Sequence, residues 1–281
     1  MRQNESFSVK DYAVTGESFS LKRHPDLNMW LTEPMPKDLD PYYQSEDYIS
    51  HSDASDSLFE KLYQRVKKYS LNKKLRLLSR YSLRKGRLLD YGAGTGAFVK
   101  QALKGGWQAQ GVEPNNRARI HAQNKGLSLE QNWKGFPSEE FDVITLWHVL
   151  EHLPDLHGSI SRIHELLKPN GILVLALPNF NSWDAQHYGP FWAGYDVPRH
   201  LWHFSRESVE ELFRAHKVEL LGTHPLYFDA FYVSLLSEKY RSGKMRWIAA
   251  MVNGIRSNAS AMVSGEYSSL IYVLKKTENA F

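Results

Sequence analysis

The sequence has no cysteine. That excludes a disulfide scaffold, a thiolate zinc site and a cysteine nucleophile. It also has no long apolar run. The longest clean one is Ile172 to Leu177, far short of the roughly 20 residues that cross a bilayer. The opening MRQNESFSVK carries no apolar signal core. Together these absences predict a cytoplasmic protein without a membrane span. Acid is missing from one stretch in particular. Lys61 to Arg87 holds 11 basic residues and no Asp or Glu, leaving 24 basic against 31 acidic residues in the remaining chain. Leu62, Val66, Tyr69, Leu75 and Leu78 recur there at roughly helical spacing, so the stretch reads as an amphipathic helix with a solvated basic face. A nucleic-acid partner is the less favoured reading of the same charges.

What is present is an ordinary globular mix, 42% hydrophobic and 23% charged over 281 residues. At about 150 residues per domain this length suits two domains, or one α/β domain with insertions. Residues 1–56 are polar and broken by Pro25, Pro34, Pro36 and Pro41, which predicts an arm or lid ending in an aromatic cluster with Tyr43, Tyr48 and His51. A helix is expected over 57–82. Strands are expected at Arg87–Tyr91, Ala109–Glu113, Phe141–Trp147, Gly171–Leu177 and Ser268–Leu274, with a weaker one near Leu127–Glu130. Helices are expected at Phe98–Leu103, Val149–Glu151, Ser159–Leu167 and, capped by Ser205, Ser205–His216. The alternation implies βαβ units and a mostly parallel sheet. A domain over 57–281 would then carry insertions at about 180–204 and 232–266.

The most informative residues are Leu88-Leu89-Asp90-Tyr91-Gly92-Ala93-Gly94-Thr95-Gly96-Ala97-Phe98. A strand ends, glycines alternate, and a helix begins. Glycine permits positive φ and close approach of a ligand to the backbone. The helix start offers N–H donors. Glu113, 23 residues after Asp90, ends the next strand, where an acid can bond both ribose hydroxyls. Gly92, Gly94 and Ala97 also satisfy the dinucleotide pattern of a nicotinamide enzyme. Asp90 argues against that reading, because a carboxylate beside the turn repels a pyrophosphate and suits a cationic ligand. S-adenosylmethionine has an ammonium, a sulfonium and a ribose.

These residues, with Gly111-Val112-Glu113-Pro114, Phe141-Asp142-Val143-Ile144 and Leu167-Lys168-Pro169-Asn170-Gly171, resemble the ordered motifs of class I S-adenosylmethionine-dependent methyltransferases. Leu146-Trp147-His148-Val149-Leu150-Glu151-His152-Leu153-Pro154-Asp155 and Pro198-Arg199-His200-Leu201-Trp202-His203-Phe204-Ser205 are similar to the methyltransferase 23 branch, which includes ubiquinone-biosynthesis O-methyltransferase-like proteins. The resemblance implies a Rossmann-like α/β sandwich with a seven-stranded sheet whose last strand is antiparallel. It implies that Asp90, Gly92, Ala93, Gly94, Gly96, Glu113 and Pro114 hold the cofactor, with Trp147 and His148 at the methyl donor. Some relatives carry a cysteine pair in the arm; this chain does not, so no structural zinc is expected.

His148-Val149-Leu150-Glu151-His152 also spells H-x-x-E-H, a zinc-peptidase pattern. No third ligand follows at a suitable spacing, and no metal is expected. Methyl transfer needs alignment and usually loss of a proton from the acceptor. His148, His152 and His200 are the candidate bases. Without cysteine, covalent pyrimidine chemistry is closed, and Trp147-His148 is not the Asn/Asp-Pro-Pro-Tyr turn of adenine methylation. What is left is O-, N- or C-methylation of a small-molecule or carrier-linked acceptor, with RNA modification or a non-catalytic cofactor-binding role as alternatives. The aromatic stretch 180–204 should help wall the acceptor site through Trp183, Tyr188, Phe191, Trp192, Tyr195, His200 and His203. Arg199 would be the counter-ion for an acidic acceptor, or else pair with Asp196 and shape the loop.

Overall fold

The computed structural model describes residues 6–43, 58–82 and 84–277. Tyr48 and His51 of the aromatic cluster lie outside the described residues. The chain begins with three short strands, β1 (Ser6–Lys10), β2 (Ser18–Arg23) and β3 (Trp30–Glu33), paired antiparallel in order. Their pattern alternates: Val9, Phe19 and Leu21 point inward and the intervening residues face outward, the period of a half-buried strand. The segment read as an arm or lid therefore carries three strands of its own. The prolines sit outside the pairing segments, leaving the ladder intact.

Helix α1 (Leu58–Tyr81) follows, and then the alternating core. In chain order this is β4 (Arg87–Tyr91), α2 (Ala97–Lys104), β5 (Gln108–Val112), α3 (Asn116–Asn124), β6 (Phe141–Trp147), α4 (Leu156–Leu166) and β7 (Leu167–Pro178). Helix α5 (Trp183–Tyr188) and strand β8 (Trp202–His203) lie in the aromatic insertion. They are followed by α6 (Arg206–Ala215), β9 (Val218–Pro225), α7 (Asp229–Ser242), α8 (Trp247–Ser264) and β10 (Ser269–Lys276). Ser205 caps α6, accepting from the Ser208 backbone N–H at 3.1 Å.

The main sheet runs β5-β4-β6-β7-β10-β9. Its first four strands are parallel, and β10 is antiparallel to both β7 and β9. It has six strands, not seven. The weak strand near Leu127–Glu130 shrinks to one parallel bridge, Val112 with Glu130, because Gly126 and the polar 131–140 stretch leave no second apolar residue run to extend it. Leu88, Leu89, Val143, Ile144, Leu173 and Leu175 are fully buried, as strands covered on both faces require.

A second sheet, β1-β2-β3-β8, is completed by pairs Trp30–His203 and Leu31–Trp202, and the Leu201 N–H just before β8 donates to the Glu151 carbonyl, past the carboxyl end of β6, at 2.8 Å. Its core joins Val9, Phe19, Leu21 and Trp30 to Phe180, Tyr188, Trp192, Tyr195 and Val197 of the insertion. The insertion's aromatics are thus spent mainly on packing the small sheet.

Candidate active site

Strand β4 delivers Asp90 and Tyr91 to the sheet edge, and the chain then turns through Gly92, Gly94 and Gly96, with φ of 74°, 54° and 75°. These angles are costly for side-chain-bearing residues. The N–H groups of Gly92 and Ala93 both donate to the Val112 carbonyl, at 2.8 and 2.9 Å. A Cβ at Gly94 would meet nothing within 4 Å, so the backbone is bare there, whereas Gly92 and Gly96 lie against Val149 and Leu127 with no room for a side chain. Glu113, at the end of β5, accepts from the Gly94 N–H at 2.7 Å and from the Asn115 N–H at 2.8 Å. Each carboxylate oxygen keeps a second lone pair.

Asp90 is 2% exposed and accepts from Thr145 Oγ1 at 2.7 Å. Burial pushes its carboxyl well above the ordinary range, opposed by the Thr145 hydrogen bond and by the Lys74 cation. Lys74 comes from α1, and its Nζ lies 4.0 Å from the Trp147 ring centroid. Burial pulls that ammonium down to about 8, while Asp90 and Asp229 pull it back up. An acid and a base thus face the same edge beside the glycine turn.

The histidines form a second group. His148 has a φ of 57°, a strained angle for a side-chain-bearing residue. Its backbone N–H donates to the Ala176 carbonyl at 3.0 Å. Its Nε2 is 3.1 Å from Asp229 of α7, and its Nδ1 is 3.4 Å from Glu151. Burial opposes the charged ring, but the two carboxylates raise its pKa to about 9. Glu151 is 1% exposed, and neither carboxylate oxygen has a hydrogen-bond partner among the described residues. Burial would raise it, yet His148, His200 and His152 hold it below the usual carboxylate range.

His152 is the opposite case: burial and then His200 push it down to about 4. Its Nδ1 lies 2.9 Å from the Arg199 carbonyl and 3.1 Å from the Tyr43 hydroxyl. A carbonyl only accepts, so Nδ1 carries the hydrogen and Nε2 keeps a lone pair. His200 repeats the arrangement, with Nδ1 2.9 Å from the Gly194 carbonyl. Glu151, His152 and His200 each offer one donor atom within 4.8 Å of the others.

A family model described as a methyltransferase domain, that of the methyltransferase 23 group, matches residues 63–221, more than half of the sequence. This chain belongs to that methyltransferase family. A ubiquinone biosynthesis O-methyltransferase from Actinobacillus pleuropneumoniae is 35% identical over 107 residues, covering 33% of this chain and 46% of the relative. The chain therefore spans less than half the length of that curated relative. Among solved structures, geranyl diphosphate C-methyltransferase from Streptomyces coelicolor superposes with a TM-score of 0.51 at 14% identity, covering 73% of this chain and 77% of that one. The 4+2 cyclase SpnF superposes with a TM-score of 0.51 at 18% identity, covering 74% and 81%. The methyltransferase fold is thus shared with an enzyme named for a different reaction, and chemistry has to be argued from the site.

Within the methyltransferase domain, Asp90, Gly92, Ala93, Gly94, Gly96, Glu113 and Pro114 gather at one turn and the neighbouring strand end, with Trp147 and His148 one strand further along. Three other expectations need correction. Arg199 is 1% exposed, and its guanidinium is committed within the protein. It donates to Asp196 at 2.6 and 3.0 Å, to Asp11 at 3.0 Å and to the Tyr42 carbonyl at 2.8 Å. It binds the arm to the insertion and is no counter-ion for an acceptor. His203 is 4% exposed, with Nε2 2.9 Å from Thr32 Oγ1, and burial drives its pKa well below the ordinary value. Tyr195 is packed edge-on against Trp192 and Phe7. Both belong to the small-sheet core and not to an acceptor wall.

Three residues of the site were missed: Lys74, Thr145 and Asp229. Lys74 had a readable signal, since it lies one turn before the buried Leu78 and so on the inward face of its helix. Asp229 had none, because only the return of the chain after β9 brings it to His148.

Proposed function

We propose that this chain transfers a methyl group from S-adenosylmethionine to a hydroxyl of a small-molecule or carrier-linked acceptor. The observation that carries the reading is the pairing of Glu113 with the Gly94 N–H at 2.7 Å beside the buried Asp90. An acid for a ribose, an acid for a cationic amino-acid end and a glycine turn open at Gly94 stand at adjacent strand ends. The donor set fits the cofactor: Asp90, Gly92, Ala93, Gly94, Gly96, Glu113, Pro114 and Trp147 would hold it. When bound, S-adenosylmethionine supplies an electrophilic methyl group. Lys74 is placed to meet the carboxylate of the same amino-acid end.

The chain's own residues then divide the work. His148, held as an imidazolium by Asp229 and Glu151, is a poor base at neutral pH and serves to fix the floor of the site. His152 is neutral there, with its Nδ1–H directed at a carbonyl. With its pKa pushed down to about 4 it is a weak base, and its Nε2 lone pair serves to accept a hydrogen bond from the acceptor hydroxyl and align it. Tyr43, at the end of the described arm, covers this end through its hydroxyl contact with His152. The O-methyltransferase name of the relatives supports the choice of oxygen over nitrogen or carbon.

Calorimetry with S-adenosylmethionine, S-adenosylhomocysteine and NAD tests the cofactor. The first two should bind and the third should not. Transfer of a labelled methyl group to a panel of phenols and other hydroxylated acceptors tests the reaction. Binding without transfer to any acceptor class would favour a non-catalytic relative, and transfer to bulk RNA would replace the small-molecule reading.

A further inference from the structure

Helices α7 and α8 form a hairpin inserted between β9 and β10, and the outward side of α8 is apolar. Ala250, Asn253, Gly254, Ser257 and Ala261 face inward and are buried. Trp247, Ile248, Met251, Val252, Ile255, Met262 and Val263 are exposed, Ile248 by 84% and Val263 by 93%. At 100° per residue these seven fall within an arc of about 160°. A surface helix of a soluble monomer turns its apolar stripe inward; here the small residues are inside and the large apolar ones outside. The stripe has no charged residue, and its border is basic. Lys239, Arg241, Lys244 and Arg246 cluster around the hairpin turn, where the buried Glu238 pairs with Arg241 at 2.7 Å and with Arg246 at 3.6 Å; Arg256 lies at the stripe's edge, and no Asp or Glu occurs between Glu238 and Glu266.

We infer that α8 lies on an anionic lipid surface, its apolar stripe in the acyl boundary and its basic border at the headgroups. Exposed Trp and Met beside Lys and Arg, with the one neighbouring acid, Glu238, buried, is the composition of an interfacial helix. No helix among the described residues is long and apolar enough to cross a membrane, so the hairpin rests on the bilayer. A second copy of the chain is the weaker occupant. A two-fold contact through this face would bring the Arg256 side chains toward each other with no acid on the face to offset them. The base of the same hairpin carries Asp229, which contacts His148, so docking would set the site close to the lipid surface.

The test is flotation of the full chain with vesicles of phosphatidylcholine alone and of phosphatidylcholine with phosphatidylglycerol in equal parts. The chain should float with the anionic vesicles only, and less at high salt. Ile248→Glu combined with Val263→Glu should reduce binding at least tenfold with an unchanged thermal midpoint, since both side chains are almost fully exposed. Lys244→Gln, which leaves every apolar residue of the stripe in place, should weaken binding about fivefold. The inference is overturned by equal binding to both vesicle types or by no binding at all. It is equally overturned if the parent chain is a dimer in sedimentation and the double substitution makes it a monomer. None of these readouts depends on methyl transfer.

Discussion

His148 Nε2 stands 3.1 Å from Asp229 Oδ2, a contact between the end of a central strand and the first turn of the last inserted hairpin. Asp229 and Glu151 together, against burial, give His148 a pKa of about 9, against about 6.5 in an unfolded chain. A raised pKa contributes stability fully below the unfolded value, and that contribution fades as pH rises through the folded one. The difference in urea midpoint between the parent chain and His148→Gln should therefore be largest below about pH 6.5 and close near pH 9. A difference that grew with pH would contradict the ion pair.

Asp229→Asn should lower the His148 pKa toward the ordinary value, read directly from imidazole resonances in an NMR titration. The direction follows from removing one of two carboxylates that hold the proton. An unmoved titration would mean that Glu151 alone sets it.

Glu113→Ala should weaken S-adenosylmethionine binding by about 1–3 kcal/mol, the cost of leaving buried donors unpaired. Because Glu113 also holds the Gly94 N–H, Glu113→Gln should recover part of the loss. Calorimetry on both variants separates the ribose contact from support of the turn.

Lys74→Met should make cofactor binding more alkaline in its pH dependence. The ammonium opposes the burial that raises Asp90; without it, Asp90 holds its proton to higher pH and presents a carboxylate later. Affinity measured across neutral pH should drop most on the acid side. A uniform drop would restrict Lys74 to a direct contact with the ligand.

Arg199→Met should cost about 3–5 kcal/mol of stability, the usual result of removing one member of a buried ion pair and leaving the acids uncompensated. Asp11 and Asp196 are the acids in question. Chemical denaturation gives the number, and limited proteolysis should show the arm released before the main sheet opens. A variant as stable as the parent would remove Arg199 from its role as the tie.

The main sheet was legible because its strands are covered on both faces. Leu88-Leu89 and Ile172 to Leu177 are continuous apolar runs, and Phe141–Trp147 is predicted with its exact limits. Strand β9 was missed: its residues are half-covered and its pairing with β10 slips at Val273/Leu274, so neither a run nor a clean alternation marks it. In the small sheet, Ser-Phe-Ser-Val-Lys and Ser-Phe-Ser-Leu-Lys-Arg do alternate, but the prolines nearby carried more weight. The cofactor turn could be found because a single contiguous motif encodes it. The histidine group could be named but not assigned, since the protonation of His148 and His152 depends on Asp229, Tyr43 and the Arg199 carbonyl, which only tertiary structure brings together.

The Thr32 hydroxyl donates to the His200 carbonyl across 168 residues of sequence, and the two residues of β8 complete the sheet that Thr32 belongs to. On the ribosome, the three-stranded meander therefore emerges with the β3 edge unpaired and with Phe19, Leu21 and Trp30 uncovered until nearly three-quarters of the chain has been made. Such an edge recruits strands from other molecules. Slowing synthesis between the meander and the insertion should lengthen that exposure and raise the demand for chaperones, although the finished fold is unchanged.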